Sequence, residues 1–474
     1  MDLFPGFRQR WPPAALAAVG AALVALACTA LPAHRTAPPA ARPTGASAPV
    51  TVMGNQGPEA GALQALALAK LKAEGRAALL QHHLDVLAAQ GEVDLYRGNS
   101  ARLLVDGPET FAAMKAAIGA ARHRVLLESY IVEDRGVASE FADLLVRKAS
   151  QGVSVALMYD SVGSFGTDRA FFDRLRAGGV AVCAFNPVNP LERPGSWGLL
   201  QRNHRKMLAV DNDVAFTGGI NLSNVYAEWS LSSAHGSRPG VPSPSEGWRD
   251  TQIELRGPVV TAMAVVFRES WVGQDCDGTL PPGTPATRAL AGQRVVKLVA
   301  GDPRQGVNPT YTTLLAAIEA ARRSVHLTMA YFAPGPDMVE ALCNAARRGV
   351  EVVLVLPGRS DVALVLYAAR SYYAQLLEAG VQIHEMRHSV MHAKTAVVDG
   401  VYSTVGSSNL DWRSIVGNRE IDVIVLGDDF GQELEDLFSR DLDIAVPIAP
   451  AQWQERGVGQ RLLETFGRLV EPLL

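Results

Sequence analysis

An internal repeat constrains the fold of this 474-residue chain more than any other feature. The segment AAIGAARHRV at 116–125 returns as AAIEAARRSV at 316–325, and each copy runs into an apolar strand pattern, LLESYIV or HLTMAYFA. A helical segment and a second apolar strand follow in both copies, QGVSVALMYD at 151–160 and RGVEVVLVLPG at 348–358. Alternating helices and buried strands are typical of an α/β fold with a largely parallel sheet covered on both faces. The sequence therefore predicts two homologous α/β domains.

The repeat also sets the predicted domain boundaries. We expect the first domain at 93–275, the second at 293–450, and a Gly- and Pro-rich linker between them at 276–292. A helical segment at 61–92 precedes the domains. The tail at 451–474 carries apolar residues at helical spacing and predicts an amphipathic helix. Contact with a bilayer and docking onto the protein itself are both open for this tail.

The N-terminus has the composition of a targeting segment. An Ala-rich apolar run follows Arg8 and Arg10 and is short for a membrane span, so residues 1–31 are predicted to be a signal peptide or a membrane anchor. The letters ALAC, ending at Cys28, resemble a bacterial lipoprotein cleavage site and make Cys28 a candidate for lipidation. Residues 32–60 are rich in Pro and Ala and are predicted to form a flexible tether.

Charge and cysteine usage exclude some classes of function. The net charge of −4 and the pI near 6.2 give no sign of a nucleic-acid partner, and none is expected. Cys28, Cys183, Cys276 and Cys343 show no close pairing and no CxxC spacing. This pattern argues against a disulfide framework and against structural zinc. Cys183 and Cys343 lie in apolar patterns, where we expect them to pack as small hydrophobic residues.

The candidate site residues lie in a motif that occurs twice. His204, Lys206 and Asp211 recur with the same spacing as His392, Lys394 and Asp399. Small residues and an Asn follow at equal offsets, namely Gly218, Gly219 and Asn221 in the first copy and Gly406, Ser407 and Asn409 in the second. A single His-x-Lys is weak evidence, because an isolated His is usually structural. Two copies of the whole pattern at equivalent places of a repeat indicate a functional site.

Strand parity separates the roles of these residues. Side chains two positions apart on a strand share a face, whereas the motif Asp lies seven positions after the His and has the opposite parity. We therefore expect each His and Lys to share a pocket. We expect Asp211 and Asp399 to hold neighbouring backbone, and the small residues to let a bulky anion approach the backbone closely.

The duplicated motif resembles that of the phospholipase D superfamily, over roughly residues 93–445. The flanking stretches resemble bacterial cardiolipin synthases in particular; they are LYRGN at 95–99, ESYIVED at 128–134, FNPVNP at 185–190, GWRDTQIELRGP at 247–258 and VGSSNLDWRS at 405–414. The resemblance implies two phospholipase D-like α/β sandwich domains that form one pseudo-symmetric unit. It also implies that both motifs meet in a single site between them.

The same resemblance implies a set of roles. One His attacks the phosphodiester phosphorus and the other protonates the departing alcohol, with His204 as the expected nucleophile and His392 as general acid and then base. The sequence by itself does not assign the two. Lys206, Lys394, Asn221 and Asn409 are expected to bind the substrate phosphate, with no metal and no cofactor. An acid downstream of each motif is expected to orient its His, namely Asp250 for His204 and Glu420 for His392.

Three functions are compatible with the motifs. The first, which the resemblance favours, is a cardiolipin synthase that transfers a phosphatidyl group between phosphatidylglycerol molecules through a phosphatidyl-histidine. The second is a phospholipase D-type hydrolase of lipids or, less in keeping with the charge, of nucleic acid. The third is a catalytically idle membrane-binding protein, against which the two complete motifs speak. Trp197, Leu199, Leu200 and Trp412 lie close to the motifs and are candidates for excluding water, with core packing as the alternative.

The expected partners follow from the favoured function. They are phospholipids, phosphatidylglycerol or a related lipid, and the surface of a bacterial membrane. The protein is expected at the bacterial cell membrane, either peripheral or held by its N-terminal anchor. A periplasm-facing site is one option.

Overall fold

The computed structural model describes residues 50–54, 57–59, 61–72, 76–91, 94–189, 201–228, 247–276, 280 and 290–473. Several expectations fall outside these residues. They concern the signal or anchor with Cys28, most of the tether and the linker, and Trp197, Leu199 and Leu200.

The secondary structure follows the repeat. The described chain opens with β1 (Thr51–Gly54), β2 (Gly57–Pro58), α1 (Gly61–Lys72) and α2 (Ala77–Ala89). The first half contains β3 (Asp94–Val105), α3 (Asp106–Ala120), β4 (Arg124–Ser129), α4 (Val137–Ser150), β5 (Ser154–Asp160), α5 (Arg169–Ala177), β6 (Ala181–Phe185), β7 (Arg202–Asn203), β8 (Met207–Val210), β9 (Val214–Gly218), β10 (Thr251–Arg256) and α6 (Val259–Gly273).

The second half repeats this order. It contains β11 (Arg294–Gly301), α7 (Pro309–Ala320), β12 (Ser324–Met329), α8 (Gly335–Arg347), β13 (Glu351–Pro357), α9 (Ala363–Ser371), α10 (Tyr373–Glu378), β14 (Gln382–Met386), β15 (Lys394–Val398), β16 (Tyr402–Gly406), β17 (Asn418–Leu426) and α11 (Asp428–Ile444). The chain then ends with β18 (Val446–Pro447), α12 (Pro450–Gln454) and α13 (Val458–Val470). None of the helices described is both long and apolar enough to cross a bilayer.

Each half forms a mixed sheet. The strand order of the first half is β6-β5-β4-β8-β9-β10-β3, and that of the second is β14-β13-β12-β15-β16-β17-β11. Only the β4-β5-β6 and β12-β13-β14 neighbours in these two series are parallel. The expectation of an α/β fold with two homologous halves is confirmed, but the expectation of a largely parallel sheet is wrong.

Tight turns inside the motifs explain the antiparallel strands. Asp211 and Asn212, between β8 and β9, have φ of 53° and 61°, and Asp399 and Gly400, between β15 and β16, have φ of 56° and 68°. Two consecutive residues with positive φ give a turn whose twist suits an antiparallel hairpin, and Asp, Asn and Gly adopt that conformation most readily. A parallel neighbour would instead need a long crossover connection.

The two sheets meet along a shared core. The long strand β3 pairs with β10 in its second part and with β11 in its first part, so it joins the halves. One apolar cluster contains Met263 and Phe267 of α6 together with Val423 of β17 and Phe430 of α11. Since this cluster draws on both halves, packing fixes their relative position. The halves thus form the pseudo-symmetric unit that the resemblance implied.

A disulfide between Cys183 in β6 and Cys276 after α6 corrects the expectation for the cysteines. Because the two cysteines are 93 residues apart in the sequence, no short cysteine spacing indicated that they pair. The Cα atoms lie 5.6 Å apart, within the range that a disulfide spans. Cys343 is a buried free thiol, as expected.

Candidate active site

The motifs lie where each half pairs with the other. The start of β17 runs parallel to β7, with Arg419 opposite Asn203, and a bridge joins Arg249 to Met391. The backbone N–H of His204 donates to the carbonyl of Arg419 at 2.9 Å, and that of His392 donates to the carbonyl of Arg249 at 2.7 Å. Each histidine is therefore anchored by the strand that carries the acid of the opposite half.

This pairing exchanges the expected acid partners. His204 Nδ1 donates to the Glu420 carboxylate at 3.0 Å, and His392 Nδ1 lies 2.7 Å from Asp250 Oδ2. The expectation that Asp250 orients His204 and that Glu420 orients His392 is wrong. The expectation matched each histidine with the next acid in its own half. In the structure, each histidine instead meets the acid of the other half, because the acid-bearing segments lie across the interface. Both acids nonetheless lie against a motif histidine.

Glu420 and Asp250 occupy equivalent positions in the two halves but have different neighbours. The hydroxyl groups of Ser407 and Ser414 donate to Glu420 at 2.6 and 2.8 Å. In the first half, the residue equivalent to Ser407 is Gly219, and a Cβ there would lie 2.2 Å from Asp250 Oδ1. Gly219 therefore leaves the space that the Asp250 carboxylate occupies.

The lysines lie beside the histidines, as expected from parity. Lys206 Nζ donates to the carbonyl of His204 at 2.6 Å, and Lys394 Nζ lies 3.0 Å from His392 Nδ1. Burial is the main reason why the pKa of Lys206 is lowered to about 7 and that of Lys394 to about 8. The nearby carboxylates, including Glu420 and Asp250, raise both pKa values in part. Both ammonium groups are thus buried donors next to the imidazoles, where an anion would relieve their desolvation.

Both histidines favour the neutral form. Burial lowers the pKa of His204 well below its ordinary value, and the charges of Lys206 and Lys394 lower it further. Burial and Lys394 also lower the pKa of His392, but Asp250 opposes them. Burial raises the pKa of Glu420 to about 7, against the effects of Lys206 and the two serines. The two histidines, the two lysines and Glu420 therefore form one cluster in which each charge affects the others.

Aromatic rings surround the histidines, and the sequence reasoning missed them. The ring centroid of Tyr130 lies 4.9 Å from that of His204, while Trp248, Tyr226 and Tyr331 lie 5.1, 5.7 and 6.0 Å from that of His392. Tyr130 is the first residue after the buried strand β4 and Tyr331 is the second after β12, and this position was the available signal. Trp412, which was named as a candidate, is half-buried.

The motif aspartates hold backbone, as parity predicted. Asp211 accepts from the N–H groups of Arg122, His123 and Arg124 at 2.6 to 2.8 Å. Asp399 accepts in the same way from residues 322–324 at 2.7 to 3.2 Å, and its Oδ2 also lies 2.9 Å from His83 Nε2 in α2. Burial raises the pKa of Asp399, but the bonds from His83 and the amides outweigh it and lower the pKa overall. Each Asp therefore fixes the entry to the strand beside its hairpin.

The motif asparagines differ from each other. Asn221 Oδ1 accepts from the N–H of Ile131 at 3.0 Å, and its Nδ2 donates to the Tyr226 hydroxyl at 3.3 Å. That hydroxyl lies 3.2 Å from His392 Nδ1. Asn409 is buried, lines a small cavity with Lys394, and has an Oδ1 without a hydrogen-bond partner among the described residues.

Comparisons with known proteins agree with this geometry. The family described as "Cardiolipin synthase, PLD-like domain" matches residues 114–232 and 314–442. A cardiolipin synthase from Geobacillus thermodenitrificans is 34% identical over 394 residues, which cover 83% of this chain and 75% of that protein. Cardiolipin synthase 2 from Bacillus anthracis is 32% identical over 387 residues, covering 81% and 72%.

A solved structure supports the fold. The phosphatidylserine synthase of Haemophilus influenzae matches with a TM-score of 0.61 over 79% of this chain and 95% of that one, at 14% identity. Each of the two matched regions contains one of the His-Lys motifs. The chain belongs to the cardiolipin synthase family, and the phospholipase D-like domain of that family occurs in it twice.

Proposed function

We propose that the protein condenses two phosphatidylglycerol molecules into cardiolipin and releases glycerol. The observation that carries the proposal is the pair of His-Lys motifs at one interface, each oriented by an acid from the other half, in a chain of the cardiolipin synthase family. The relatives named above are cardiolipin synthases, and the substrates are assigned here by that similarity.

In the first step His204 is the nucleophile. Its lowered pKa keeps the imidazole neutral at pH 7, and its Nδ1–H donates to Glu420, so the lone pair of Nε2 is free to attack. A bond forms between His204 Nε2 and the phosphorus while the bond from phosphorus to the glycerol oxygen breaks. His392 gives its proton to that oxygen, and glycerol leaves.

In the second step His392 acts in reverse. It takes the proton from a hydroxyl of the second phosphatidylglycerol, whose oxygen bonds to the phosphorus as the bond to His204 breaks. In the free enzyme, burial and Lys394 lower the pKa of His392, and Asp250 opposes them. The negative charge of a bound phosphate raises this pKa, so that His392 is protonated when the lipid is in place. The coupled pair can then carry one proton between them.

Lys206 and Lys394 supply the positive charge at the phosphate. Their ammonium groups are buried beside the imidazoles, where hydrogen bonds to non-bridging oxygens are strong. Asn409 and Asn221 add amide donors. Asn221 uses one N–H group on Tyr226, and because an amide nitrogen carries two, one remains for a phosphate oxygen.

Transfer requires that a lipid hydroxyl reach the intermediate before water does. Tyr130 beside His204, and Tyr226, Trp248 and Tyr331 beside His392, cover both imidazoles and reduce access of solvent to the reacting atoms. This enclosure favours a transferase over a phospholipase D-type hydrolase, the alternative function.

Mixed micelles of labelled phosphatidylglycerol test the proposal. We expect labelled cardiolipin and free glycerol as the main products, in equal amounts. Phosphatidic acid as the main product at saturating lipid would reassign the protein as a hydrolase. A His204→Asn variant serves as the control for contaminating lipases.

We further propose that the site works on the periplasmic side of the cell membrane. The Cys183–Cys276 disulfide supports this location, since disulfides persist in oxidising compartments and are rare in the cytosol. Labelling of an exposed engineered cysteine by a membrane-impermeant maleimide in intact spheroplasts tests it. Labelling only after lysis would place the site in the cytoplasm.

A further inference from the structure

The last long helix packs on the protein through its polar side. Glu464 of α13 is 3% exposed and accepts from Arg456 Nε at 2.8 Å, and Glu471, just after the helix, accepts from the N–H of Gly335 at 3.0 Å. Between them, Gly467 lies so close to α9 that a Cβ there would be 2.6 Å from the Ala368 nitrogen. Gly467 therefore contacts α9, and two buried glutamates lie near it on the inward side of α13.

The apolar side of α13 consequently faces outward. Val458, Leu462, Phe466 and Leu469 recur at helical spacing and are 74%, 65%, 53% and 74% exposed. Large apolar side chains on a soluble surface usually lie scattered, and a contiguous stripe marks an interaction site. The sequence left open whether the apolar side of α13 docks onto the protein. The structure shows that it does not.

Exposed apolar residues also lie at the start of α9, one residue along the chain from a partner of Tyr331. Val362 and Leu364, at the start of α9, are 36% and 39% exposed. The neighbouring Asp361 accepts from the Tyr331 hydroxyl at 2.7 Å, and the Tyr331 ring is one of those around His392. Because α13 packs on α9, its exposed stripe and the exposed residues at the start of α9 lie on neighbouring helices.

The first half presents an apolar residue at the equivalent place. Phe165 follows the end of β5 by the same number of residues as Val362 follows the end of β13, and it is 59% exposed. Its neighbour Ser164 donates to the carbonyl of Tyr130 at 3.2 Å, and Tyr130 lies against His204. In each half, an exposed apolar side chain thus follows a residue that binds the tyrosine next to the histidine. We call Phe165, Val362, Leu364, Val458, Leu462, Phe466 and Leu469 the rim surface.

Positive charge accompanies the rim surface. Arg359, Arg461 and Arg468 are exposed, with Arg359 just before Val362 and the other two on α13. The carboxylate of Asp361 is engaged by Tyr331, and those of Glu464 and Glu471 are buried. Apolar side chains flanked by arginines are complementary to a bilayer of anionic phospholipids, with acyl chains below and phosphates above.

We propose that the rim surface docks on an anionic phospholipid bilayer, so that the site opens toward the lipids. Phe165 enters the bilayer beside His204, and the stripe of α13 enters it beside His392. A lipid headgroup can then reach the histidines while its acyl chains remain among neighbouring lipids. The inference rests on the proposed function only in that the substrate is a membrane lipid.

Environment-sensitive labels on the full-length chain test this orientation. Single cysteines at Phe165, Val362 and Phe466 carry the dye, and the controls are Gln151→Cys and Arg347→Cys. Gln151 and Arg347 are exposed and precede β5 and β13, whereas Phe165 and Val362 follow these strands. The wild-type chain taken through the same labelling gives the background from native thiols.

Vesicles of phosphatidylglycerol and phosphatidylethanolamine should shift the emission of the three rim labels to the blue and leave both controls unchanged. Equal shifts at all five positions, or none at the rim when flotation shows the protein bound, would overturn the proposal. A shift that depends on protein concentration without vesicles would also overturn it, and would assign the rim surface to a second copy of the chain.

A paired variant separates docking from catalysis. Leu462→Ser with Phe466→Ser should weaken vesicle binding about tenfold or more and reduce turnover on vesicles to match. Turnover on monomeric short-chain phosphatidylglycerol should be unchanged, because neither residue contacts the site. Loss on both substrates, with a normal melting temperature, would contradict a docking role. If the rim labels shift to the blue but the protein makes no cardiolipin, the proposed function is wrong and the docking proposal stands.

Discussion

The two motif histidines have different neighbours at equivalent positions. Glu420 beside His204 is held by two serines, whereas Asp250 beside His392 lies in the space left by Gly219. Tyr226, near His392, is equivalent by spacing to Ser414. The two histidines also differ in proton affinity, because burial and both lysines lower the pKa of His204 well below its ordinary value, whereas Asp250 opposes the lowering at His392.

The chemistry of the leaving group should separate these roles. A phosphatidyl ester of p-nitrophenol needs no protonation of its leaving group, so His392→Asn and Asp250→Asn should retain a burst of nitrophenolate. His204→Asn should give no burst, and Glu420→Gln should slow it about 10- to 100-fold. Stopped-flow absorbance measures the burst.

The reverse result, with the burst kept in His204→Asn and lost in His392→Asn, would exchange nucleophile and acid. Slowing of the burst by Asp250→Asn and not by Glu420→Gln would contradict the crossed pairing. Circular dichroism of each variant serves as the control for folding.

The lysine pKa values predict the alkaline side of the pH profile. A cation whose pKa is lowered loses its charge at a lower pH, and Lys206 and Lys394 titrate at about 7 and about 8. The kcat/KM of the free enzyme should therefore fall as the pH rises through this range. A bound phosphate raises both pKa values, so kcat should fall at higher pH. A kcat/KM constant to pH 10 would show that the lysine charges are not required.

At the scale of elements, the hairpin in each motif connects several segments of its half. Asp399 binds the backbone before β12 and the imidazole of His83, so it connects a hairpin, a strand and the N-terminal helix α2. A residue that binds backbone N–H groups in this way contributes mainly to stability. Its replacement should affect catalysis only through changes in the surrounding fold.

Replacement of Asp399 by Asn should lower the free energy of unfolding at pH 7 by about 2 to 4 kcal/mol, because charge-assisted acceptors of buried amides are lost. Since the pKa of Asp399 is lowered on folding, its contribution is present above the unfolded value of about 3.9 and is lost as the pH falls through the folded value. Urea unfolding should show the wild-type and variant stabilities converging below pH 4.

A variant that melts like the wild type at pH 7 but is inactive would contradict this structural role for Asp399. Glu420→Gln is the matched comparison, since it should be stable and slow.

The disulfide should stabilise the first half. It ties β6 to the end of α6 across 93 residues of sequence, and closing a loop of this length in the unfolded chain contributes about 2 to 4 kcal/mol. Cys183→Ser with Cys276→Ser should lower the melting temperature by scanning calorimetry. Reductant should lower it in the wild type and leave the double variant unchanged, and Cys343→Ala is the control for the loss of a buried thiol.

At the scale of the whole molecule, the site belongs to neither half alone. Backbone bonds to Arg419 and Arg249 hold each histidine on the opposite half, and the shared core fixes the sheets. A change in one half must therefore alter the chemistry of the other.

Losses from the two halves should not add. His204→Asn, His392→Asn and the double variant should each lose about 10³-fold or more of turnover on phosphatidylglycerol, to nearly the same level. Initial rates of cardiolipin formation measure this. A double variant slower than both single variants by the product of their effects would indicate two independent sites.

The sequence by itself determined the duplicated α/β fold, the motif residues and the structural role of the motif aspartates. Repeats and strand parity are local patterns, and they hold wherever the strands lie in space. Asp250 and Glu420 were expected from the family resemblance, which places an acid downstream of each motif.

Only the tertiary structure decided which acid meets which histidine, which cysteines pair and which side of α13 faces outward. Each of these depends on segments far apart in the chain that the sheets bring together. Duplication makes own-half and cross-half pairing equally compatible with the spacing. An amphipathic pattern likewise gives the two sides of a helix without saying which is buried. Packing of the two sheets across one core resolves the pairing, and the close approach of Gly467 to α9 resolves the orientation of the helix.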